Sequence, residues 1–298
     1  MTISGLIVVN KPERIHTGTI VEKIKKRFRL KVGHTGVLDY IGSGVILLLI
    51  NKATKICDFL INCDKEYIFT GLLGKRTDTM DITGVVLEEK VCDSSITVDR
   101  IVSISQEFTG KILLPVPLYS NKKLNGVPLY KLKKKNQNIP QLFTQVVIYN
   151  LSPVEINIPY FTFRVKCSKG TYIRSLIDVI GQKLGVGATM YAIKRIAVGN
   201  FSIEQAIEFD KLLAMDFDTF RDNIIPLHKA LEFLPEIEIS RDYIFSFCNG
   251  NEVPVITPVS SISCETVRVT FMNELLGVGK LLSYAKKLYV RPVKVLTK

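Results

Sequence analysis

Apolar positions recur along the chain in two periods. "GLIVVN" near the N-terminus and "VILLLI" (Val45–Ile50) are short unbroken apolar runs bounded by polar residues, and each predicts a buried strand. Between them Ile20, Val21, Ile24 and Phe28 fall on one helical face, with Lys23, Lys25, Lys26 and Arg27 on the other. Thr19 and Glu22 have the spacing of a capping box at the start of that helix. Farther on, "KATKICDFLI" predicts a helix, and "EYIFTGLLG" and "GVVLEE" alternate like strands around the loop "KRTDTMDIT". Ser95 to Phe108 reads as a helix, and "QVVIYNL" and "YFTFRVKC" as strands. "YIRSLIDVIGQKLG" is an amphipathic helix stopped by Gly185, and "ATMYAIKRIAVGNF" returns to strand. Strands and helices mix without a strict βαβ rhythm, which predicts an α+β fold on a mostly antiparallel sheet.

The pattern changes near "IIPLHKALEFLPEIEIS". From Leu234 on, the segments "EIEIS", "VPVIT", "ETVRVTFM", "GVGKLLSY" and "LYVRPVKVL" follow one another as short strands. Such a run predicts a small β-barrel-like domain. The domain boundary is therefore set between residues 232 and 233, giving a domain 1–232 and a second domain 233–298.

Composition sharpens this picture. With 47% apolar and 23% charged residues, the 298-residue chain reads as globular protein. Its 40 Lys and Arg against 28 Asp and Glu leave a net charge of +12, which points to a polyanionic partner. Nucleic acid fits better than a membrane surface, because no basic amphipathic helix of the kind that lies on a membrane is evident. The six cysteines form no CxxC pair and no zinc-like cluster, so they read as reduced thiols of a cytoplasmic protein. "MTISGLIVVNKP" has no basic region before its apolar run and reads as a first strand, not as a signal peptide.

Four stretches are candidates for chemistry. "GHTGVLDYIGSG" sets one carboxylate, Asp39, between glycine-rich turns, either as an ordinary turn residue or as a reactive group. "KEYIFTGLLG" places Tyr67 on a strand, where its ring either packs in the core or faces a cavity. In "SKGTYIRSL", Gly170 permits a tight strand-to-helix turn and Arg174 falls in the first helical turn, solvated or functional. Asn121 to Lys135, "NKKLNGVPLYKLKKK", carries six lysines, a tyrosine and no acid, as a phosphate-wrapping loop or a merely solvated basic face would.

Taken together and in order, these stretches resemble the TruB-type tRNA pseudouridine synthases. The resemblance rests on "NKP" with Thr17, then "GHTGVLD", "GSGV" and "ATK", then "KEYIFTGLLG", "TDTMDITG", "PLYSNKKLNGVPLYKL", "GTYIRSL" with "LGVGA", and "IKRIAVG". It implies a pseudouridine synthase fold with a mostly antiparallel central sheet and a PUA-type C-terminal RNA-binding domain. It implies isomerisation of a uridine in the tRNA T-loop, at position 55, with no cofactor and no metal. By motif, Asp39 is the catalytic carboxylate, Arg174 its partner and Tyr67 a further catalytic residue, and Tyr67 and Tyr172 line the base pocket. His34 would occupy the space left by the flipped uridine, and Ile193 stands where a Leu usually meets the base. Lys11 and Pro12 are implied as structural support. Lys122, Lys123, Lys131, Lys133, Lys134 and Lys135, within a basic insert at about 111–145, would hold the RNA backbone. The partner implied is the tRNA T-arm and elbow, bound by a cytoplasmic monomer with no obligate protein partner and no membrane.

Residue chemistry agrees with these roles. Exchanging the C1'–N1 bond for C1'–C5 moves one ring within one nucleotide, so neither a second substrate nor a redox centre is required. Burying a carboxylate disfavours its charged form unless a cation compensates, so an arginine beside it is expected. A stacked uridine must be flipped out to be reached, which calls for aromatic walls and a side chain to fill the gap. The residues do not choose among attack at C1', addition to C6 and a glycal-like intermediate.

The chain departs from the pattern at two places. Tyr40, Ile41 and Gly42 follow Asp39 where Pro and a small residue are common, and His16-Thr17-Gly18 stands where a Thr-Ser pair is usual. Losing the proline removes a fixed φ and predicts a less rigid catalytic loop. Alternatively Tyr40 has its own task, such as stacking on RNA or packing on the small domain. Two rival readings of the whole chain are a tRNA-folding factor and a guide-dependent rRNA enzyme.

Overall fold

The computed structural model describes residues 3–135, 137–255, 264–284 and 287–297. Its large sheet is built from the apolar runs: β1 (Gly5–Lys11), β2 (Ser43–Ile50), β3 (Lys65–Leu73), β4 (Gly110–Pro115), β5 (Phe143–Asn157), β6 (Tyr160–Cys167) and β7 (Ala188–Val198). These lie in the order β1-β2-β7-β3-β6-β5-β4. All neighbours in that path are antiparallel except β2 and β7, which run parallel through Ser43/Lys194 and Gly44/Arg195. That one parallel contact sits at the end of β2 from which the Asp39 loop departs. Gly44 makes it possible: its φ is +105°, and a Cβ there would meet the Arg195 carbonyl oxygen at 2.2 Å.

The unbroken hydrophobicity of β2 has a structural cause. Ile46, Leu48 and Ile50 face a core formed with α1 (Thr17–Phe28), α2 (Val98–Gln106) and α3 (Ile173–Leu184). Val45, Leu47 and Leu49 face the other way, into a second core with Leu60, Leu231, Leu234, Val278 and Leu296. A strand buried on both faces leaves no polar alternation.

The C-terminal strands form a separate five-stranded sheet in the order Glu236–Glu238, Thr266–Phe271, Glu274–Tyr284, Lys287–Val295, Val253–Pro254. The first pair is parallel and the rest antiparallel. This curled half-barrel has its own core around Phe247, Val267, Val269 and Val290, and it meets the large sheet through Val278 and Leu296.

Several boundaries differ from the sequence reading. α1 begins at Thr17 with His16 as N-cap and no side-chain cap, so Thr19 lies inside the helix and the expected box with Glu22 does not start it. "KATKICDFLI" is a 3₁₀ segment, Asn51–Ile56, followed by a short helix, Cys57–Ile61. Part of the expected loop after β3 pairs as a ribbon, Lys75–Thr77 with Val86–Glu89. The lysine-rich stretch is not a plain loop: Lys123–Leu124 pairs with Val127–Pro128, and Leu129–Lys134 is helical with Leu129 buried. The helix Arg241–Cys248 had no counterpart in the reading, and the expected strand "VPVIT" is short, its Ile256 and Thr257 lying outside the described residues.

Candidate active site

Asp39 stands on the loop between His34 and β2, at a cleft of about 750 Å³. Among the described residues it is the sole carboxylate lining that cleft. Its loop is tied to α1 and the segment leading into it at three points. Arg14 N–H donates to the Tyr40 carbonyl at 2.7 Å, Leu38 N–H donates to Thr17 Oγ1 at 3.2 Å, and Lys11 Nζ donates to the Gly42 carbonyl. Gly42 N–H closes the turn on the Asp39 carbonyl at 3.0 Å. A side chain at Gly42 would press on Ile193 Cγ2 at 3.0 Å, which accounts for the glycine. The loop expected to be loose for want of a proline is thus held by cross-links, and the Tyr40 ring lies on His16, not on the small domain.

Arg174 occupies the first turn of α3, where the left-handed Gly170 (φ +79°) turns the chain from β6 into the helix. It is not solvated; its side chain is 7% exposed. Nε lies 3.2 Å from Asp39 Oδ2, while Nη1 donates to the Thr79 carbonyl at 2.8 Å and Nη2 to the Tyr119 carbonyl at 3.1 Å. Asp81 Oδ2 lies 3.9 Å from Nη1. Asp81 is itself fixed, accepting at Oδ1 from Thr79 Oγ1 at 2.9 Å and from Thr83 N–H at 2.9 Å. A planar guanidinium engaged on three sides has one orientation, and that orientation presents Nε to Asp39.

The floor is Tyr67 on β3, directly opposite Arg195 on β7. Burial pushes the Tyr67 phenol up to about 12, against the pull of the hydrogen-bonded Arg195 guanidinium. The ring is therefore a neutral phenol at physiological pH. Arg195, 4% exposed, donates Nε to the Val45 carbonyl at 2.6 Å. His34 accepts at Nδ1 from Gly36 N–H at 3.2 Å, and burial followed by Arg195 lowers its pKa, which favours the neutral imidazole. Tyr172, the N-cap of α3, and Ile193 line the same cleft.

The structure brings Asp39, Arg174, Tyr67, His34, Tyr172 and Ile193 together around one cavity. Lys11 lies beneath it, fully buried, with Nζ donating to the Pro12 carbonyl at 2.9 Å as well as to Gly42; burial lowers its pKa to about 8, opposed by Asp39. Pro12 itself is exposed and outside the lining. Lys122, Lys123, Lys131, Lys133, Lys134 and Lys135 are also outside the lining, and none of the six pairs with a carboxylate among the described residues. Their segment nevertheless reaches the cleft through Tyr119, Asn121 and Tyr130. Sequence reasoning missed Asp81, Tyr119 and Arg195. All three lay inside quoted motifs, but only their contacts with Arg174 and Tyr67 single them out.

Two family models match in succession: the TruB family pseudouridylate synthase N-terminal domain over residues 22–173, and the tRNA pseudouridylate synthase B C-terminal domain over 174–232. The tRNA pseudouridine synthase B of Clostridium tetani is 39% identical over 280 residues, covering 93% of this chain and 96% of that protein. That of Clostridium acetobutylicum is 37% identical over 282 residues, covering 94% and 96%. Among solved structures, an H/ACA RNP bound to a substrate RNA containing 2'-deoxyuridine is similar with a TM-score of 0.75 at 26% identity, over 99% of this chain and 85% of that one. A Cbf5-Nop10-Gar1 complex is similar with a TM-score of 0.76 at 27% identity, over 98% and 85%. These matches run through the loop of Asp39, the helix of Arg174 and the strand of Tyr67, and the chain belongs to the TruB family of tRNA pseudouridine synthases, which isomerise uridine in tRNA.

Proposed function

We propose that this chain converts the T-loop uridine at tRNA position 55 to pseudouridine, with Asp39 as the catalytic carboxylate. The observation that carries this is a cleft carboxylate, sole among the described residues, oriented by a buried arginine that is itself locked by two backbone carbonyls. In the reaction C1'–N1 breaks, the uracil turns, C1'–C5 forms, the C5 proton leaves and N1 gains one. Atoms balance within one nucleotide, so the chain's own groups suffice. Tyr67 and Tyr172 supply the walls against which a flipped base rests, and Ile193 adds an apolar contact. His34, held neutral, takes the space the base leaves. Lys11 supports the catalytic turn from below through the Pro12 and Gly42 carbonyls, and the six lysines of the insert hold phosphates.

Residues 1–232 form the catalytic domain, with the basic insert at about 111–145, and 233–298 form a PUA-like RNA-binding domain. The protein works in the cytoplasm as a monomer on the tRNA elbow, with no obligate protein partner. The likeness to H/ACA complexes supports the fold, while the relatives named for tRNA favour the stand-alone reading over a guide-dependent one. Incubating the purified protein with one unmodified tRNA transcript and mapping pseudouridine tests this. Modification at position 55 with no other component is the expected result; an unmodified transcript sinks the reading.

A further inference from the structure

The mouth of the cleft carries a pair of rings that the reaction does not use. The His16 and Tyr40 rings have centroids 4.9 Å apart and planes inclined by 36°. Tyr40 is 45% exposed, and His16 is exposed as well and lines the cleft. Neither ring belongs to a hydrophobic core, so the contact does little to hold the fold together. What it does have is a fixed base. Thr17 Oγ1 accepts from Leu38 N–H at 3.2 Å and Arg14 N–H donates to the Tyr40 carbonyl at 2.7 Å, so the backbone beneath both rings is joined across two loops. Two flat side chains are thus presented to solvent from a tied support, and one of them, Tyr40, directly follows Asp39.

An RNA strand that delivers a uridine to Asp39 has to cross this rim. When the uridine leaves its stack, the neighbouring bases each lose a stacking partner. An aromatic face restores that contact for any base, because every nucleobase has a π-face. We propose that His16 and Tyr40 form a stacking platform for a nucleobase adjacent to the flipped uridine. The inference rests on the reading of the cleft as the uridine site, and it gives one purpose to both places where the sequence departs from the family pattern. The missing Thr-Ser pair and the missing proline are replaced by two rings that meet.

The test uses the full-length protein and a T-arm RNA in which 2-aminopurine replaces, one at a time, each nucleotide flanking the target uridine. At one flanking position the probe is quenched on binding wild type and Tyr40→Phe, and stays bright with Tyr40→Ala and with His16→Ala. Affinity falls on the order of tenfold in the alanine variants. An abasic nucleotide at that position costs wild type the same factor and the alanine variants nothing further. The proposal is overturned if Tyr40→Ala and His16→Ala quench and bind as wild type does, or if the abasic RNA weakens wild type and variants equally. Two variants on separate loops guard against a folding defect in either. Quenching reads the bound RNA whether or not it is turned over, so the platform is decided independently; absence of pseudouridine in the wild-type reaction overturns the assigned reaction instead.

Discussion

Arg174 and the lysines of the insert are cations serving the same RNA enzyme, yet the structure treats them in opposite ways. Arg174 is 7% exposed, with a carboxylate and two carbonyls fixing all its nitrogens. Lys133 and Lys134 end a six-residue helix that Lys135 caps, and none of the three meets a carboxylate among the described residues. A cation whose partners lie within the chain sets geometry. One with no carboxylate partner among the described residues fits the phosphate-binding role proposed above. The difference separates rate from affinity: changes around Arg174 should alter turnover and spare binding, and changes in the insert should do the reverse.

The hardest blow to the first side is Asp39→Asn, which keeps the shape and removes the charge. Pseudouridine formation should fall to background while tRNA affinity stays within about tenfold, or roughly 1.4 kcal/mol. Turnover by this variant in a single-turnover assay would end the division at its root. Arg174→Lys is the next test. It keeps a charge and loses the planar fork, so turnover should drop by about a hundredfold with binding little changed. Wild-type rates with lysine would mean that the carbonyl anchors do not matter.

The other side is broken through salt. Replacing Lys133, Lys134 and Lys135 together by alanine should flatten the slope of log affinity against log salt by about two to three, with saturated turnover unchanged. An unchanged slope would move the phosphate contacts off the insert. The last test turns from function to stability, through Lys11, the buried lysine. Its pKa is lowered to about 8 in the fold from an ordinary 10.5. Below about pH 8 it is charged in both states, and the fold bears the cost of burying that charge. Between about 8 and 10.5 the folded protein releases the proton first, so stability rises with pH across that window. Relative to Lys11→Met, wild type should gain up to roughly 3 kcal/mol there, measured by denaturant unfolding. A flat difference would show that the Lys11 amine is better solvated than its burial implies.

Local signals revealed most of the fold. Six of the seven long strands of the large sheet carry apolar patterns that can be read one by one, Gly110–Pro115 being the exception, and five C-terminal segments match the five strands of the half-barrel. Short elements were hidden, because Arg241–Cys248 spans barely two turns and lies among strand signals. Asp39, Tyr67 and Arg174 stood out by motif. Asp81 did not, since a turn aspartate that bonds its own threonines is indistinguishable in sequence from one that also faces an arginine 3.9 Å away. Arg195 was invisible for a related reason. Its meaning comes from register, and nothing local says that β7 sets it opposite Tyr67. The meeting of His16 with Tyr40 likewise depends on two loops being joined, by the Arg14–Tyr40 backbone bond and by Leu38 N–H on Thr17 Oγ1, a pairing that no local pattern encodes.

The two-faced burial of β2 bears on how far this enzyme can be pared down. Leu47 and Leu49 look toward Val278 and Leu296 of the half-barrel, while the same strand carries the Asp39 loop at its start. Cutting the chain after residue 232 would strip cover from the back of that strand and leave a sticky apolar face in water. A shortened version made to study catalysis alone would therefore need new polar residues at those positions, or it would clump before it could be assayed.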